Sequence, residues 1–201
     1  GVAMEALPLL DVAGIAVFAL SGALAAAREK QTLVTFAFFA LVTGVGGGTV
    51  RDLLIGAPVF WVRAEWVPLT CLAMALLVWI TPRTLWSDKA LDWFDALGLA
   101  AYAVFGTAKA LSFGIGPIPA AMMGVITACV GGILRDVLAG RPSIILRPEI
   151  YVTAAALSAG LFVALLSAGL WWLAAALVAA VAGFALRAAA ILKGLALPSY
   201  R

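Results

Sequence analysis

The stretch TGVGGGTVRDLLIGAP at residues 43–58 decides the fold of this chain. Three consecutive glycines and an adjacent Arg-Asp pair lie there inside a long apolar run, where neither feature is expected. A related stretch, TACVGGILRDVLAGRP, follows at residues 127–142, which is an offset of 84 residues (127 minus 43). The chain therefore carries an internal repeat, and its polar residues are best interpreted in equivalent pairs.

The composition indicates a membrane protein. Of the 201 residues, 65% are hydrophobic and only 11% are charged, His is absent, and the mean hydropathy is +1.14. A soluble domain is about half apolar and about a quarter charged. We therefore predict an all-α integral membrane protein with a single membrane domain over residues 1–201. The net charge of +3 is small, and we predict no nucleic-acid partner.

Seven apolar segments have about the length of a membrane helix, which needs roughly 20 apolar residues. Polar or glycine-proline breaks separate them. They span residues 8–27, 32–55, 66–81, 91–111, 117–139, 150–167 and 170–192. Gly56 and Pro58 end the second segment, because glycine supplies a left-handed cap and proline cannot continue a helix. We expect the first segment to remain in the protein rather than be cleaved as a signal peptide.

The offset of 84 residues also relates positions outside the glycine stretch, matching Asp11 with Asp95. Residues 8–81 and 92–165 are therefore predicted to be two copies of a three-helix unit, with an extra seventh helix at 170–192. Because three is odd, the second copy enters the membrane from the opposite side, which makes an inverted repeat. Such repeats with glycine-interrupted helices are typical of proteins that move a solute, although a duplicated bundle can also serve packing alone.

The basic residues predict the orientation, since cytoplasmic loops are enriched in Lys and Arg. With the N-terminus outside, ten of the 13 basic residues fall on the inner side, two fall outside, and one lies in a membrane segment. The ten are Arg28, Lys30, Arg83, Lys89, Arg135, Arg141, Arg147, Arg187, Lys193 and Arg201. We predict a multi-pass protein of the cell inner (plasma) membrane, with its N-terminus outside and its C-terminus in the cytoplasm.

The glycines inside the second and fifth segments need an explanation, because glycine in a helix interior costs about 1 kcal/mol relative to alanine. Small residues let two helices approach closely. Alternatively, a kinked or unwound helix exposes carbonyl groups that line a polar cavity. We predict kinks beside a pore, weaker in the second copy because Val130 replaces one glycine. The residues concerned are Gly46, Gly47, Gly48, Gly131 and Gly132.

Charged residues at membrane depth normally find partners. Adjacent residues on a helix point in different directions, so Arg51 and Asp52 are not expected to bind each other. We predict the pairs Asp11–Arg51 near the outer face and Asp95–Arg135 near the inner face. These pairs either lock helix ends together or gate the two mouths of a pore. The charges assigned to gating or to the pore mouths are Asp11, Arg51, Asp52, Asp95, Lys109, Arg135 and Asp136.

Two further groups of polar residues lie within the apolar segments. Lys109 has Ala25 as its counterpart; it either extends to the membrane interface or acts as a cationic plug or lipid-headgroup contact in the pore. Five hydroxyl side chains near the glycines either line a water-filled path or bond back to their own helix. They are Ser21, Thr43, Thr49, Thr107 and Thr127.

The sequence contains no arrangement typical of an enzyme. There is no His base, no pair of carboxylates on one helix face and no nucleotide-binding loop, so we predict no enzymatic activity, cofactor or metal site. Cys71 and Cys129 lie within apolar segments, where we expect buried free thiols.

The glycine and Arg-Asp motifs resemble those of the prokaryotic TRIC family, the trimeric intracellular cation channels. The resemblance rests on Leu10-Asp11-x-x-Gly14, Phe18-x-x-Ser21-Gly22, and the duplicated Gly-Gly-x-x-Arg-Asp that ends at Asp52 and Asp136. It implies a homotrimer in which each subunit has its own pore for monovalent cations such as potassium. It also implies that the glycines of the second and fifth helices lie beside the pore, and that Lys109 lies near the pore and a bound lipid.

These observations lead to a predicted function. We predict a passive, cofactor-free channel for monovalent cations, principally potassium, with a pore in each protomer. Bacterial relatives of this sequence type are also described as probable glycine transporters, so a secondary transporter of a small amino acid such as glycine is the alternative. A third alternative is a non-conducting structural or lipid-binding trimer with a closely packed centre.

Overall fold

The protein, represented by a computed structural model, is described over residues 2–201, with side chains described from Asp11 onward. This range contains seven α-helices and three short 3-10 turns joined by loops, and none of it forms a β-strand. The helices are α1 (Val2–Arg28), α2 (Leu33–Ile55), α3 (Trp66–Ile80), α4 (Ala90–Ser112), α5 (Pro117–Leu138), α6 (Val152–Ser167) and α7 (Trp172–Lys193). Each one falls on one of the seven predicted segments, so the all-α fold is confirmed.

Helix lengths divide the bundle into two classes. Helices α1, α2, α4, α5 and α7 are long and apolar enough to cross a membrane. Helices α3 and α6 have 15 and 16 residues. At 1.5 Å per residue each is about 22 to 24 Å long, which is shorter than the roughly 30 Å hydrocarbon core of a bilayer. These two helices hold equivalent places in the two repeats, and a 3-10 turn precedes each of them.

The glycine-proline breaks end α2 and α5 as predicted. Gly56 adopts a left-handed conformation with φ of 71°, and the following Ala57 N–H donates to the Asp52 carbonyl at 2.9 Å. At the equivalent end of α5, Gly140 has φ of 67° and the Arg141 N–H donates to the Asp136 carbonyl at 3.0 Å. Both glycines therefore provide the conformation that an L-residue rarely adopts at a helix end.

The two repeats pack against each other around a pseudo-two-fold axis. Equivalent helices meet there, α1 against α4 and α2 against α5, while α7 packs on α4 and α6. The contacts are reciprocal: Gly14 lies against the ring of Tyr102, and Gly98 lies against the ring of Phe18. These two rings stack with their centroids 5.3 Å apart. The inverted repeat thus places each feature of one copy at the opposite end of the bundle from its counterpart.

The loops predicted to face the cytoplasm share one end of the bundle. Arg141 forms an ion pair with Glu29, which joins the α5–α6 loop to the α1–α2 loop. The C-terminal tail reaches the same end, where the Leu197 N–H donates to the Pro148 carbonyl at 2.8 Å. Most of the basic residues therefore gather on one face, and the side of the membrane that this face occupies stays a prediction.

Candidate functional site

Helices α2 and α5 cross where their backbones touch. A Cβ atom added at Gly47 would lie 2.9 Å from the Thr127 carbonyl carbon, and closer still to its oxygen. The equivalent contact sets Gly131 against the Thr43 carbonyl. The obstructing atoms belong to helix backbone and cannot rotate away, so only glycine fits at either position. The two contacts are related by the 84-residue offset, which puts the crossing on the pseudo-two-fold axis.

Both helices continue through their glycines. Helix α2 is unbroken across Gly46, Gly47 and Gly48, and α5 is unbroken across Gly131 and Gly132. The alternative in which the helices unwind there and free their carbonyl groups is therefore excluded. The missing side chains serve the close approach of α2 and α5, which gains dispersion contacts between the helices. Kinking of the two helices beside a pore stays a prediction.

A charged cluster lies at one end of the crossing, and we call it the Asp95 cluster. Arg135 Nη1 binds Asp95 Oδ1 at 2.7 Å, as predicted, and also donates to Ser21 Oγ at 3.2 Å. Arg135 Nε binds Asp136 Oδ1 at 3.0 Å. Both Asp95 and Arg135 are almost fully buried. The fifth member is Tyr151, because a Cβ atom built at Gly132 would lie 2.8 Å from its hydroxyl and 3.0 Å from Asp95 Oδ1.

The equivalent Asp52 cluster lies at the other end of the crossing and has a different pattern. Arg51 Nε and Lys109 Nζ both bind Asp52 Oδ1 at 2.9 Å. Asp11 Oδ1 instead accepts a hydrogen bond of 2.9 Å from the Tyr102 hydroxyl. The cluster therefore consists of Asp11, Arg51, Asp52, Tyr102 and Lys109, and it differs from the Asp95 cluster although the backbone is duplicated.

The predicted ion pair between Asp11 and Arg51 is wrong. The counterpart pair, Asp95 with Arg135, forms. In the Asp52 cluster, however, Asp11 accepts a hydrogen bond from Tyr102 instead. The sequence expectation missed this because the position equivalent to Tyr102 is Phe18, which has no hydroxyl group. The Tyr102 hydroxyl is thus one side-chain difference between the copies that accompanies the loss of the expected pair.

The adjacent Arg and Asp residues do bind each other, contrary to the expectation. Arg51 Nε reaches Asp52, and Arg135 Nε reaches Asp136, although neighbouring Cβ atoms diverge on a helix. The long arginine side chain folds back because each aspartate is held in place by its second oxygen. Asp52 Oδ2 accepts a hydrogen bond from the Phe60 N–H at 2.9 Å. At the equivalent position of the second repeat, Asp136 Oδ2 accepts one from the Ile144 N–H at 2.8 Å.

Lys109 turns into the protein instead of extending to the membrane interface. Its Nζ binds Asp52 and lies 5.6 Å from the centroid of the Phe60 ring. Its side chain keeps 21% exposure, whereas Arg135 in the other cluster is sealed. Lys109 is therefore one point, with the half-buried Asp11, at which the Asp52 cluster remains accessible from outside the bundle.

The five candidate pore hydroxyls all donate to carbonyl groups of their own helices. Ser21 donates to the carbonyl three residues earlier, and the four threonines donate to the carbonyl four residues earlier, over distances of 2.6 to 2.7 Å. Two hydroxyl oxygens also accept a bond: Ser21 from Arg135, and Thr49 from the Trp61 indole at 3.0 Å. The alternative of back-bonding to the helix therefore describes these residues.

Two buried residues were missed as site residues. Tyr151 precedes α6 and was not singled out, since an aromatic residue at a helix end is typical of a membrane interface. Arg187 was assigned to the inner tail, but it lies within α7 with no exposed surface and pairs with Glu149 at 3.3 Å. An arginine between apolar residues of a membrane segment was the available signal. Within the described residues, no group of three or more His, Cys, Asp or Glu side chains is placed to hold a metal ion.

Comparison with known protein families gives a match over most of the chain. The family model described as "Glycine transporter" matches twice, over residues 8–83 and 92–167. The chain belongs to this glycine-transporter family. A UPF0126 membrane protein from Vibrio cholerae is 45% identical over 151 residues, which cover 73% of the chain and 62% of that protein. The UPF0126 inner membrane protein YadS from Escherichia coli is 43% identical over 149 residues, covering 72% of each.

The solved structures extend the likeness to the whole bundle. The TRIC trimeric intracellular cation channel orthologue from Rhodobacter sphaeroides is 44% identical and superimposes with a TM-score of 0.87. The match covers 94% of this glycine-transporter family member and 98% of that channel chain. The resemblance to the prokaryotic TRIC family is therefore confirmed.

Proposed function

We propose that this protein is a passive channel for monovalent cations, principally potassium, with one pathway in each protomer. The single observation that carries the proposal is the near-complete structural match to a TRIC cation channel orthologue. The pathway would run between the Asp52 and Asp95 clusters, beside the crossing of α2 and α5. The glycines at the crossing and the clustered charges would then serve as pore-side and gating residues.

The charge pattern is compatible with cation movement. Arg51, Arg135 and Lys109 would oppose a cation if they stood alone, but each binds a carboxylate. In their ordinary charge states, the two cations of the Asp52 cluster are matched by Asp52 and Asp11. Neither cluster therefore presents a net positive charge to a passing cation, and the arginine side chains do not need to move away for a cation to pass.

The crossing itself would have to open for conduction. The Gly47–Thr127 backbone contact leaves no room for an ion between α2 and α5 at that level. A kink or a small separation of the two helices would provide the opening, which supports a gating role for the glycines. The described arrangement is then a closed one.

We also propose the assembly and location that accompany this function. The chain would form a homotrimer in the cell inner membrane, with its N-terminus outside, its C-terminus in the cytoplasm, and lipid against its exposed apolar helix faces. The matched structure is of a trimeric channel, and a relative is named as an inner membrane protein. Light scattering of the detergent-solubilised protein would test the trimer, and reporter fusions at the C-terminus would test the orientation.

Potassium flux into liposomes that hold the purified protein is the test of conduction. Liposomes with an imposed potassium gradient should lose it rapidly without valinomycin, while protein-free liposomes should keep it. Liposomes that hold the Gly47→Ala variant should lose the potassium gradient at a different rate from those that hold the wild type, because the α2–α5 contact is altered. Intact gradients in the presence of folded wild-type protein would contradict the channel and favour a structural trimer.

A glycine carrier is the second candidate, and the family description favours it. Such a carrier would bind the glycine carboxylate at the N-terminus of a broken helix. Helices α2 and α5 are unbroken at their glycines, which weighs against that mechanism. Radiolabelled glycine uptake into the same liposomes separates the two functions: saturable uptake with little potassium leak would establish the carrier and refute the channel.

A further inference from the structure

We propose that the Asp95 cluster binds one alkali-metal cation, held by Asp95 and Tyr151 at the meeting point of α4, α5 and α6. This inference rests on the proposed function and deepens it, because it places a binding site for the conducted ion on named residues. It follows from comparing the two halves of the repeat.

The two clusters contain different numbers of cations. In the Asp52 cluster, Asp11 and Asp52 face Arg51 and Lys109, so two negative charges meet two positive charges. In the Asp95 cluster, Asp95 and Asp136 face Arg135 alone. In their ordinary charge states, the Asp95 cluster therefore carries one negative charge without a partner.

The missing charge has a specific origin in the repeat. The counterpart of Lys109 is Ala25, which is buried on α1 and has no group that could reach the Asp136 carboxylate. Arg187 does not fill the gap, although its guanidinium carbon lies 5.3 Å from the centroid of the Tyr151 ring. Its charge is already matched by Glu149.

Burial makes this imbalance costly. Asp95 has no exposed surface and Arg135 keeps only 1%. An unpaired charge in a protein interior is strongly disfavoured, and in a membrane segment it normally finds a counter-charge. A bound cation supplies that counter-charge without any change in the fold.

The cluster also has free ligand atoms. Asp95 Oδ2 and the Tyr151 hydroxyl are both buried, and neither has a hydrogen-bond partner among the described residues. A Cβ atom built at Gly132 would lie 2.8 Å from the Tyr151 hydroxyl, 3.0 Å from Asp95 Oδ1 and 3.4 Å from Arg135 Nη2, so the hydroxyl and the carboxylate lie close together beside the guanidinium. Oxygen ligands suit hard cations. A single positive charge balances the cluster, whereas a divalent ion would reverse the imbalance.

Thermal unfolding of the purified full-length protein in detergent tests the site. The melting temperature is measured in potassium or sodium chloride and in choline chloride at equal ionic strength. A cation that binds only the folded state raises the melting temperature, and at about ten times its Kd we expect a saturable rise of roughly 4 °C. Calcium and magnesium chloride are measured in parallel.

Variants assign the rise to the cluster. Asp95→Asn removes the unmatched charge, and Ala25→Lys supplies the cation that the other repeat has, so both should abolish the difference between potassium and choline. Ala25→Met is the control for side-chain size and should keep it. Tyr151→Phe removes one ligand and should weaken the apparent affinity about tenfold, so it remains decisive if the charge variants do not fold.

Several outcomes would overturn the inference. These are equal melting temperatures in potassium, sodium and choline for the wild type, a rise that survives unchanged in folded Asp95→Asn or Ala25→Lys protein, or stabilisation by divalent ions alone. A melting temperature that depends on pH but on no alkali ion would assign the missing charge to a proton instead. Potassium flux without an ion-specific rise in melting temperature would refute this site and leave the channel standing. An ion-specific rise without flux would refute the channel and leave this site standing.

Discussion

Gly47→Ala tests whether the glycines serve helix contact or helix kinking. The added Cβ would lie 2.9 Å from the Thr127 carbonyl carbon, where ordinary contacts begin at 3.4 Å. The carbonyl oxygen lies closer still, so α2 and α5 must move apart by well over about half an ångström, which forfeits part of the dispersion energy along the crossing. Overpacking of this kind costs about 1–3 kcal/mol.

The same substitution also stabilises the helix, by up to about 1 kcal/mol, because alanine is the better helix former. Gly160→Ala is the matched control, since Gly160 lies within α6 and an added Cβ there meets nothing within 4 Å. The propensity gain is common to both variants. Their difference therefore measures the helix contact alone, and about 2 kcal/mol corresponds to roughly 6 °C in melting temperature.

Thermal unfolding in detergent, followed by tryptophan fluorescence, is the assay. Gly47→Ala and Gly131→Ala should melt well below Gly160→Ala, since both meet a carbonyl group of the opposite helix. Gly46→Ala should fall between them, because its obstacle is the flexible end of the Leu134 side chain. Equal melting temperatures for Gly47→Ala and Gly160→Ala would refute the contact and leave kinking as the reason for the glycines.

Three further substitutions address the Asp52 cluster. Asp52→Asn leaves Arg51 and Lys109 facing only Asp11, and it should destabilise the protein by about 3 kcal/mol, since it uncovers buried charge; denaturation in detergent measures the loss. Lys109→Met breaks a partly exposed ion pair and should cost no more than about 1 kcal/mol. It leaves the cluster with a net negative charge, so potassium flux into liposomes should rise. Tyr102→Phe removes one hydrogen bond to Asp11 and should lower the unfolding free energy by about 1 kcal/mol.

Each of these predictions has a result that would contradict it. Wild-type stability of Asp52→Asn would show that its charge is not needed to balance Lys109 and Arg51. Slower flux through a normally folded Lys109→Met protein would show that the ammonium group helps cations to pass. An unchanged melting temperature for Tyr102→Phe would mean that water replaces the hydroxyl group at Asp11.

The helices were predictable because their signals are local. Each helix needs a run of apolar residues, and the glycine and proline residues that end it can be located directly in the sequence. Gly56 and Gly140 behave as expected, with left-handed backbones at the ends of α2 and α5. The duplication was equally readable, and it led directly to the Asp95–Arg135 pair.

The partners of the other charges were not predictable to the same degree. Arg51 binds Asp52 while Tyr102 donates to Asp11, and the second contact arises from the packing of α1 on α4. Lys109 on α4 binds Asp52 on α2, although the two residues are 57 positions apart in the sequence (109 minus 52). Long, flexible side chains choose among partners by position in space, so sequence symmetry alone assigned them incorrectly.

The amino-acid sequence by itself determined the membrane class, the seven helices, their ends and the inverted repeat, because apolar length and backbone propensity act within a few neighbouring residues. The tertiary structure alone decided that the glycines join α2 to α5 without breaking either helix, and that the two charged clusters are unequal. The physical reason is that steric fit and charge balance are properties of atoms brought together from distant parts of the chain. Two copies of similar sequence therefore share one backbone arrangement but not one electrostatic environment.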